Sequence, residues 1–327
     1  MFGYEIFHED IMETIIASIR SGKNPHAYIF EGDAGLGKHT AACLAASTAV
    51  CENPKSAPCG TCRACVMAKA GTHPDIKHVV PEEKKKTIGV GVIRELNADA
   101  YIRPFYGGKK VYILEGDLMT GEAQNAFLKT LEEPPLYALF IIVASDLTKM
   151  LQTVVSRCAC VRFPPLSKER MRRLLEAGYP ALRESYPFYI SFAEGNPGRL
   201  DSLLKGPEFS LLRDDCFKAA SRILSRDKYD AFFVSEFFDG HKEQLPDILD
   251  ILLLFFRDVL MLCEGQRGSV INVDYMEKLK TVSGSAAPER VLSAAERIPV
   301  CGEMIKRNVG AKYIGMYLAL GVKEDKQ

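Results

Sequence analysis

Short apolar runs at 27–31, 76–80, 111–115 and 139–144 alternate with stretches at 39–50, 89–103 and 120–133 whose apolar residues recur at helical spacing. Any one of these runs could be a buried helix segment. In series, they predict parallel strands buried on both faces and covered by helices. Phe163-Pro164-Pro165 closes the region, because two prolines end regular structure and suit a linker. Residues 1–165 are therefore expected to form an α/β domain.

The pattern then changes. Residues 166–205 read as a small helical unit, with Ser167 a suitable N-cap for a helix over 168–177 and Gly195-Asn196-Pro197-Gly198 a turn. From 206 to 327 the apolar spacing is helical throughout, so an all-α domain is expected. Its stretch 248–262 is apolar nearly all round and predicts burial on several sides, within the domain or against partner subunits. Asp250, Arg257 and Asp258 interrupt that run, which is too short and too charged to span a bilayer.

Composition narrows the class. The chain has 327 residues, enough for two or three domains, and its 47% apolar and 26% charged content is that of an ordinary soluble protein. Formal charge is zero, so any nucleic-acid contact must be local. Lys84-Lys85-Lys86 reads as a solvated loop. Met1-Phe2-Gly3-Tyr4-Glu5 carries no export signal, and ten cysteines in such a chain argue for reduced thiols and metal. A cytoplasmic protein with no membrane contact is expected.

Gly32-Asp33-Ala34-Gly35-Leu36-Gly37-Lys38 is a phosphate-binding loop up to its lysine, at a strand-to-helix turn where backbone N–H groups approach polyphosphate. ATP and Mg²⁺ are thus the cofactors to consider, with Gly32, Gly35, Gly37 and Lys38 as the cradle. The next position should supply a hydroxyl to Mg²⁺, and here it is His39, with Thr40 one place later and about 100° round the helix. The strand 111–115 should end in Asp-Glu, one carboxylate for Mg²⁺ and one to orient water. It ends in Glu115-Gly116-Asp117, so Glu115 can fill only one role. Two departures in two motifs predict weak or absent ATPase activity.

Cys51, Cys59, Cys62 and Cys65 have the spacing Cys-x7-Cys-x2-Cys-x2-Cys. Four thiolates with no vacant position predict a closed, structural zinc site inserted after the first helix of the loop. The remaining cysteines (43, 158, 160, 216, 263 and 301) read as small core residues.

Further strings carry a resemblance. His26–Gly32 (His-Ala-Tyr-Ile-Phe-Glu-Gly), His73-Pro74-Asp75, Asn125-Ala126-Phe127-Leu128-Lys129-Thr130-Leu131-Glu132-Glu133-Pro134-Pro135 and Ser156-Arg157-Cys158 together resemble the AAA+ clamp-loader subunits of bacterial DNA polymerase III. The likeness is strong over 1–165, moderate over 166–205, and is supported beyond by the helical pattern and by 308–320. It implies an AAA+ domain with an inserted zinc module at 51–65, a helical lid at 166–205 and an all-α collar at 206–327. The missing Gly-Lys-Thr/Ser and Asp-Glu make it more similar to the delta-prime type than to tau/gamma. Such a subunit is a stator that assists ATP-dependent loading of the sliding clamp onto primed DNA, with tau/gamma and delta as partners. The resemblance implies Arg157 as an arginine finger on a neighbour's ATP, Ser145 at the sensor-1 position and Arg199 near the sensor-2 position. A tau/gamma-type motor, another AAA+ ATPase and a zinc-bearing nucleic-acid binder are the competing expectations.

Overall fold

The computed structural model describes residues 8–82, 85–106, 108–225, 227 and 229–324. Lys84 of the lysine run lies outside them, and Lys85 pairs with Glu82. The chain divides into two compact units, residues 1–167 with 196–198, and residues 168–195 with 199–327.

The first unit runs α1 (Glu9–Arg20), β1 (Ala27–Glu31), α2 (Lys38–Val50), α3 (Arg63–Lys69), β2 (Ile76–Val79), α4 (Val90–Ala100), β3 (Lys110–Glu115), α5 (Gly121–Glu132), β4 (Ala138–Ala144), α6 (Gln152–Val155) and β5 (Ala159–Arg162). Its sheet has the order β2-β3-β4-β1-β5, and every pairing is parallel. Side chains alternate across each central strand into two cores. Ile29, Tyr112, Phe140 and Ile142 meet α4, α5 and α6 on one face. Phe30, Ile113, Leu139 and Ile141 meet α1 and α2 on the other, where Ala41, Ala42, Ala45 and Ala46 let α2 lie close. All seven residues of β4 are buried, which is why these strands read as unbroken apolar runs.

The four expected strands are present. The strand β5 is an unexpected fifth, a four-residue edge strand only half buried, with too little apolar length to stand out. Cys160 on it is exposed, against the core role expected of it; Cys216 and Cys301 are buried, Cys43 and Cys158 pack half buried against the two cores, and Cys263 is half buried. An edge strand has one covered flank, so alternate positions on β5 face outward.

The second unit is helical: α7 (Lys168–Gly178), α8 (Tyr186–Ala193), α9 (Pro197–Leu204), α10 (Glu208–Ile223), α11 (Asp230–Gly240), α12 (Leu245–Cys263), α13 (Met276–Ser285), α14 (Pro288–Lys306) and α15 (Ala311–Glu324). The 205/206 boundary expected between lid and collar falls inside this unit. The helix α12 is the stretch expected at 248–262, and it buries Ile248, Ile251, Leu252, Phe255, Phe256 and Val259. Asp258 is fully buried with them. Its carboxylate accepts from the N–H groups of Ile271 and Asn272 and from Asn272 Nδ2, and it pairs with Arg257. Arg213 extends this network. Its guanidinium lies 3.6 Å from the Phe188 ring and donates to Asp274 at 2.7 and 2.8 Å and to Asn272 at 2.7 Å. No helix among the described residues is long and apolar enough to cross a membrane.

Candidate functional site

The helix α2 carries one candidate at each end. At its C-terminus the chain leaves through Cys51, loops over 52–62 and re-enters helix at α3, whose N-cap is Cys62. The sulfurs of Cys51, Cys59, Cys62 and Cys65 all lie within 4.8 Å of one another. Backbone N–H groups point at them: Asn53 to Cys51 at 3.4 Å, Cys62 to Cys59 at 3.3 Å and Cys65 to Cys62 at 3.4 Å. Asn53 Nδ2, with other donors from Cys62 and Thr61, holds the Cys59 thiol down at about 5, whereas burial pushes Cys65 up to about 12. A cation at the centre would stabilise all four as thiolates. Four soft sulfur donors at this spacing can hold one metal ion. Arg20 Nε donates to the Ala57 carbonyl and ties the excursion to α1.

At the N-terminus of α2 lies the glycine loop. Gly35 has φ +89°, and a Cβ there would come within 2.4 Å of Asn196 Oδ1. Gly37 is the helix N-cap at φ +83°, also left-handed. The segment 196–198 is bound to this loop, with Asn196 Nδ2 donating to Ala34 O at 2.7 Å and Gly198 N to Gly35 O at 3.0 Å. Lys38 is buried, and its ammonium donates to the carbonyls of Gly32 and Asp33. Burial lowers its pKa, opposed by the charges of Asp117, Asp33 and Glu115. Two of the three ammonium donors are thus taken by its own loop.

His39, at the position where a hydroxyl was sought, is exposed and stacks on His78 of β2 with ring centroids 5.4 Å apart. Its Nε2 is 4.0 Å from Glu115 Oε1. Thr40 is half buried. Asp117, to which no role was given from the sequence, accepts from the Ser145 N–H at 2.8 Å. Ser145 and Asp117 thereby join the ends of β4 and β3.

Arg157 lies in the turn between α6 and β5, so it precedes a strand that sequence reading missed. Its Nη2 donates to Glu132 Oε1 at 2.6 Å and its Nη1 to Thr153 O at 2.8 Å. Arg199 belongs to the second unit. There it reaches Asp247 at 3.3 Å and Asp250 at 3.1 Å and covers the Phe192 ring.

The quoted strings acquire physical roles. In His73-Pro74-Asp75, His73 Nδ1 accepts from the Asp75 N–H. The buried Asp75 carboxylate accepts from the N–H groups of Phe105 and Tyr106 at 2.7 and 3.0 Å. In the 125–135 string, Phe127 and Leu131 enter the core and Thr130 donates to Asn97 of α4.

Two family models match the chain. One, described as DNA polymerase III, delta subunit, covers residues 7–167, and one described as DNA polymerase III, delta subunit, C terminal, covers 208–312. DNA polymerase III subunit delta' of Bacillus subtilis is 28% identical over 320 residues, which span 96% of this chain and 95% of that protein. This chain belongs to the delta-prime family of DNA polymerase III clamp-loader subunits. The Escherichia coli subunit delta' is likewise 28% identical, over 85% of this chain and 82% of that protein. DNA polymerase III subunit tau of Bacillus subtilis is also 28% identical, but the match spans 48% of that protein. The likeness to delta-prime spans nearly the whole of both chains.

Proposed function

We propose that this delta-prime-family chain is the stator of a clamp loader. In this reading it assembles with tau/gamma and delta subunits, hydrolyses ATP weakly or not at all, and presents Arg157 to ATP bound by a neighbour. Residues 166–205 serve as lid and 206–327 as collar in that assembly, which loads the sliding clamp onto primed DNA. The observation that carries the reading is the state of Lys38. Two of its three N–H donors are bound by the carbonyls of its own loop, which leaves one for a phosphate unless those hydrogen bonds are displaced. His39 supplies no hydroxyl to Mg²⁺, and Glu115 stands without an adjacent acid. Chemistry for which the chain's own loop is poorly equipped is then assigned to the half-buried Arg157, in the turn before β5, acting on another subunit. Arg157 retains N–H donors beyond those given to Glu132 and Thr153, enough to bind a phosphoryl oxygen.

The four cysteines are assigned to structural Zn²⁺. The donor set leaves no open position, so the ion would hold the 51–65 excursion closed and activate no water. Ser145 and Arg199 would be the sensor residues, although Arg199 is bonded to two carboxylates within its own unit.

The test is the reconstituted complex carrying Arg157→Ala. An arginine finger is worth about 10³ or more in rate at the site it serves. Only one of several ATP sites would lose it, so DNA-stimulated ATPase and clamp loading should fall partially with assembly intact. Arg157→Lys should be nearly as poor, because a point charge lacks the planar fork. Wild-type loading by a fully assembled Arg157→Ala complex would refute the assignment.

A further inference from the structure

Glu132 is the last residue of α5, where a negative charge faces the unfavourable end of the helix dipole. Helix stability therefore gives no reason for an acid there. The chain returns through β4 and α6 to bring Arg157 against it. The Arg157 Nη2–Glu132 Oε1 separation is 2.6 Å, a charge-assisted hydrogen bond. The opposite side of the guanidinium is held as well, Nη1 donating to Thr153 O at 2.8 Å and lying 3.4 Å from Ser156 Oγ. Two nitrogens of one planar group, gripped by a carboxylate and a backbone carbonyl, fix the plane of the fork. The Arg157 side chain is 34% exposed and Glu132 50%, so the gripped fork remains open on one side.

We propose that Glu132 is the positioning residue of the Arg157 finger. This rests on the reading of Arg157 given above and adds who aims it. A long arginine side chain free at the surface must be ordered when it meets a phosphoryl group, and that ordering opposes the reaction. With Glu132 and the Thr153 carbonyl holding the guanidinium beforehand, the free N–H donors are already directed when a neighbour's γ-phosphate arrives. Glu132 touches no reacting atom in this scheme and acts through Arg157.

The experiment uses complete clamp loaders carrying wild-type chain, Glu132→Ala, Arg157→Ala or both substitutions. Single-turnover ATP hydrolysis on primed DNA with the clamp is followed by rapid quench, and ATP affinity is measured separately. Arg157→Ala should remove one site's share of the fast phase. Glu132→Ala should slow that same share by about tenfold, with ATP affinity and thermal stability unchanged. The double variant should match Arg157→Ala alone, since an aiming residue has no effect once its target is gone. A full-rate fast phase in Glu132→Ala, beside a lost one in Arg157→Ala, would overturn the positioning role and leave the finger standing. Wild-type kinetics in both single variants would overturn the finger itself. A double variant slower than Arg157→Ala would show Glu132 acting by another route and would also overturn the proposal.

Discussion

The two ends of α2 carry the two most legible motifs of the chain, and they are built in opposite ways. At Cys51–Cys65 four sulfurs converge within 4.8 Å and N–H groups point inward at them, a donor set that could hold one metal ion. At Gly32–Lys38 the loop is organised around itself: Lys38 donates to Gly32 and Asp33, while Ala34 and Gly35 accept from Asn196 and Gly198. A motif's spelling reports the backbone path. Which partners its polar groups have found must be read from the structure.

The sharpest way to break this comparison is at the cysteines. Cys62→Ser should lower metal content well below the roughly one zinc per chain expected of the parent, because three thiolates leave an open position and hold the ion more weakly than four. Amide exchange should rise over 51–65 while the β1, β3 and β4 amides remain protected. If the sheet opened with the module, the two ends of α2 would be one cooperative unit and the contrast would lapse.

A smaller effect is expected in the framework that carries both regions. The Asp99 carboxylate, pushed up by burial, is brought down to about 2 by Lys77, Tyr112 and Lys110, which tie α4 to β2 and β3. A carboxyl depressed on folding stabilises above its unfolded pKa and loses that contribution as pH falls through the folded value. Asp99→Asn should cost roughly 2–4 kcal/mol at pH 7, since Lys110 is left buried without its partner. The gap between wild type and variant should narrow as pH falls from about 4 to 2, read from denaturant midpoints. An unchanging gap would remove Asp99 ionisation from the account.

The smallest effect concerns the loop. His39 is exposed, so His39→Thr should change stability by under about 0.5 kcal/mol. It should also leave ATP turnover by the purified chain near background, because Lys38 remains bound by its loop and the second acid after β3 is still missing. Turnover approaching about 1 s⁻¹ would mean that one hydroxyl was all the loop lacked.

The three central strands β1, β3 and β4 were legible because both faces of each are covered, which leaves an apolar run that no turn interrupts. The half-exposed edge strand β5 lacked that signal, and with it the true setting of Arg157 between α6 and β5 was hidden. The loop glycines and the four cysteines were legible from spacing alone, since a tight turn and a metal site both draw on near neighbours. The buried Arg213–Asp274–Asn272–Asp258 network was not legible: its members come from α10, α12 and the 271–274 segment, and each alone looks like a polar surface residue.

The sequence by itself determined the backbone scheme: an alternating α/β region, a helical remainder, a glycine loop with a lysine, and four thiols at metal spacing. These follow from periodicity and short-range spacing, which folding cannot rearrange. Only the tertiary structure decided what each polar group faces. It gave Lys38 to the carbonyls of its own loop, Asp117 to the Ser145 N–H, and Arg157 to Glu132. Asn196 reached Ala34 across a separation of 162 residues. Hydrogen-bond partners over such separations are chosen by strand order and helix packing, and no local pattern encodes them.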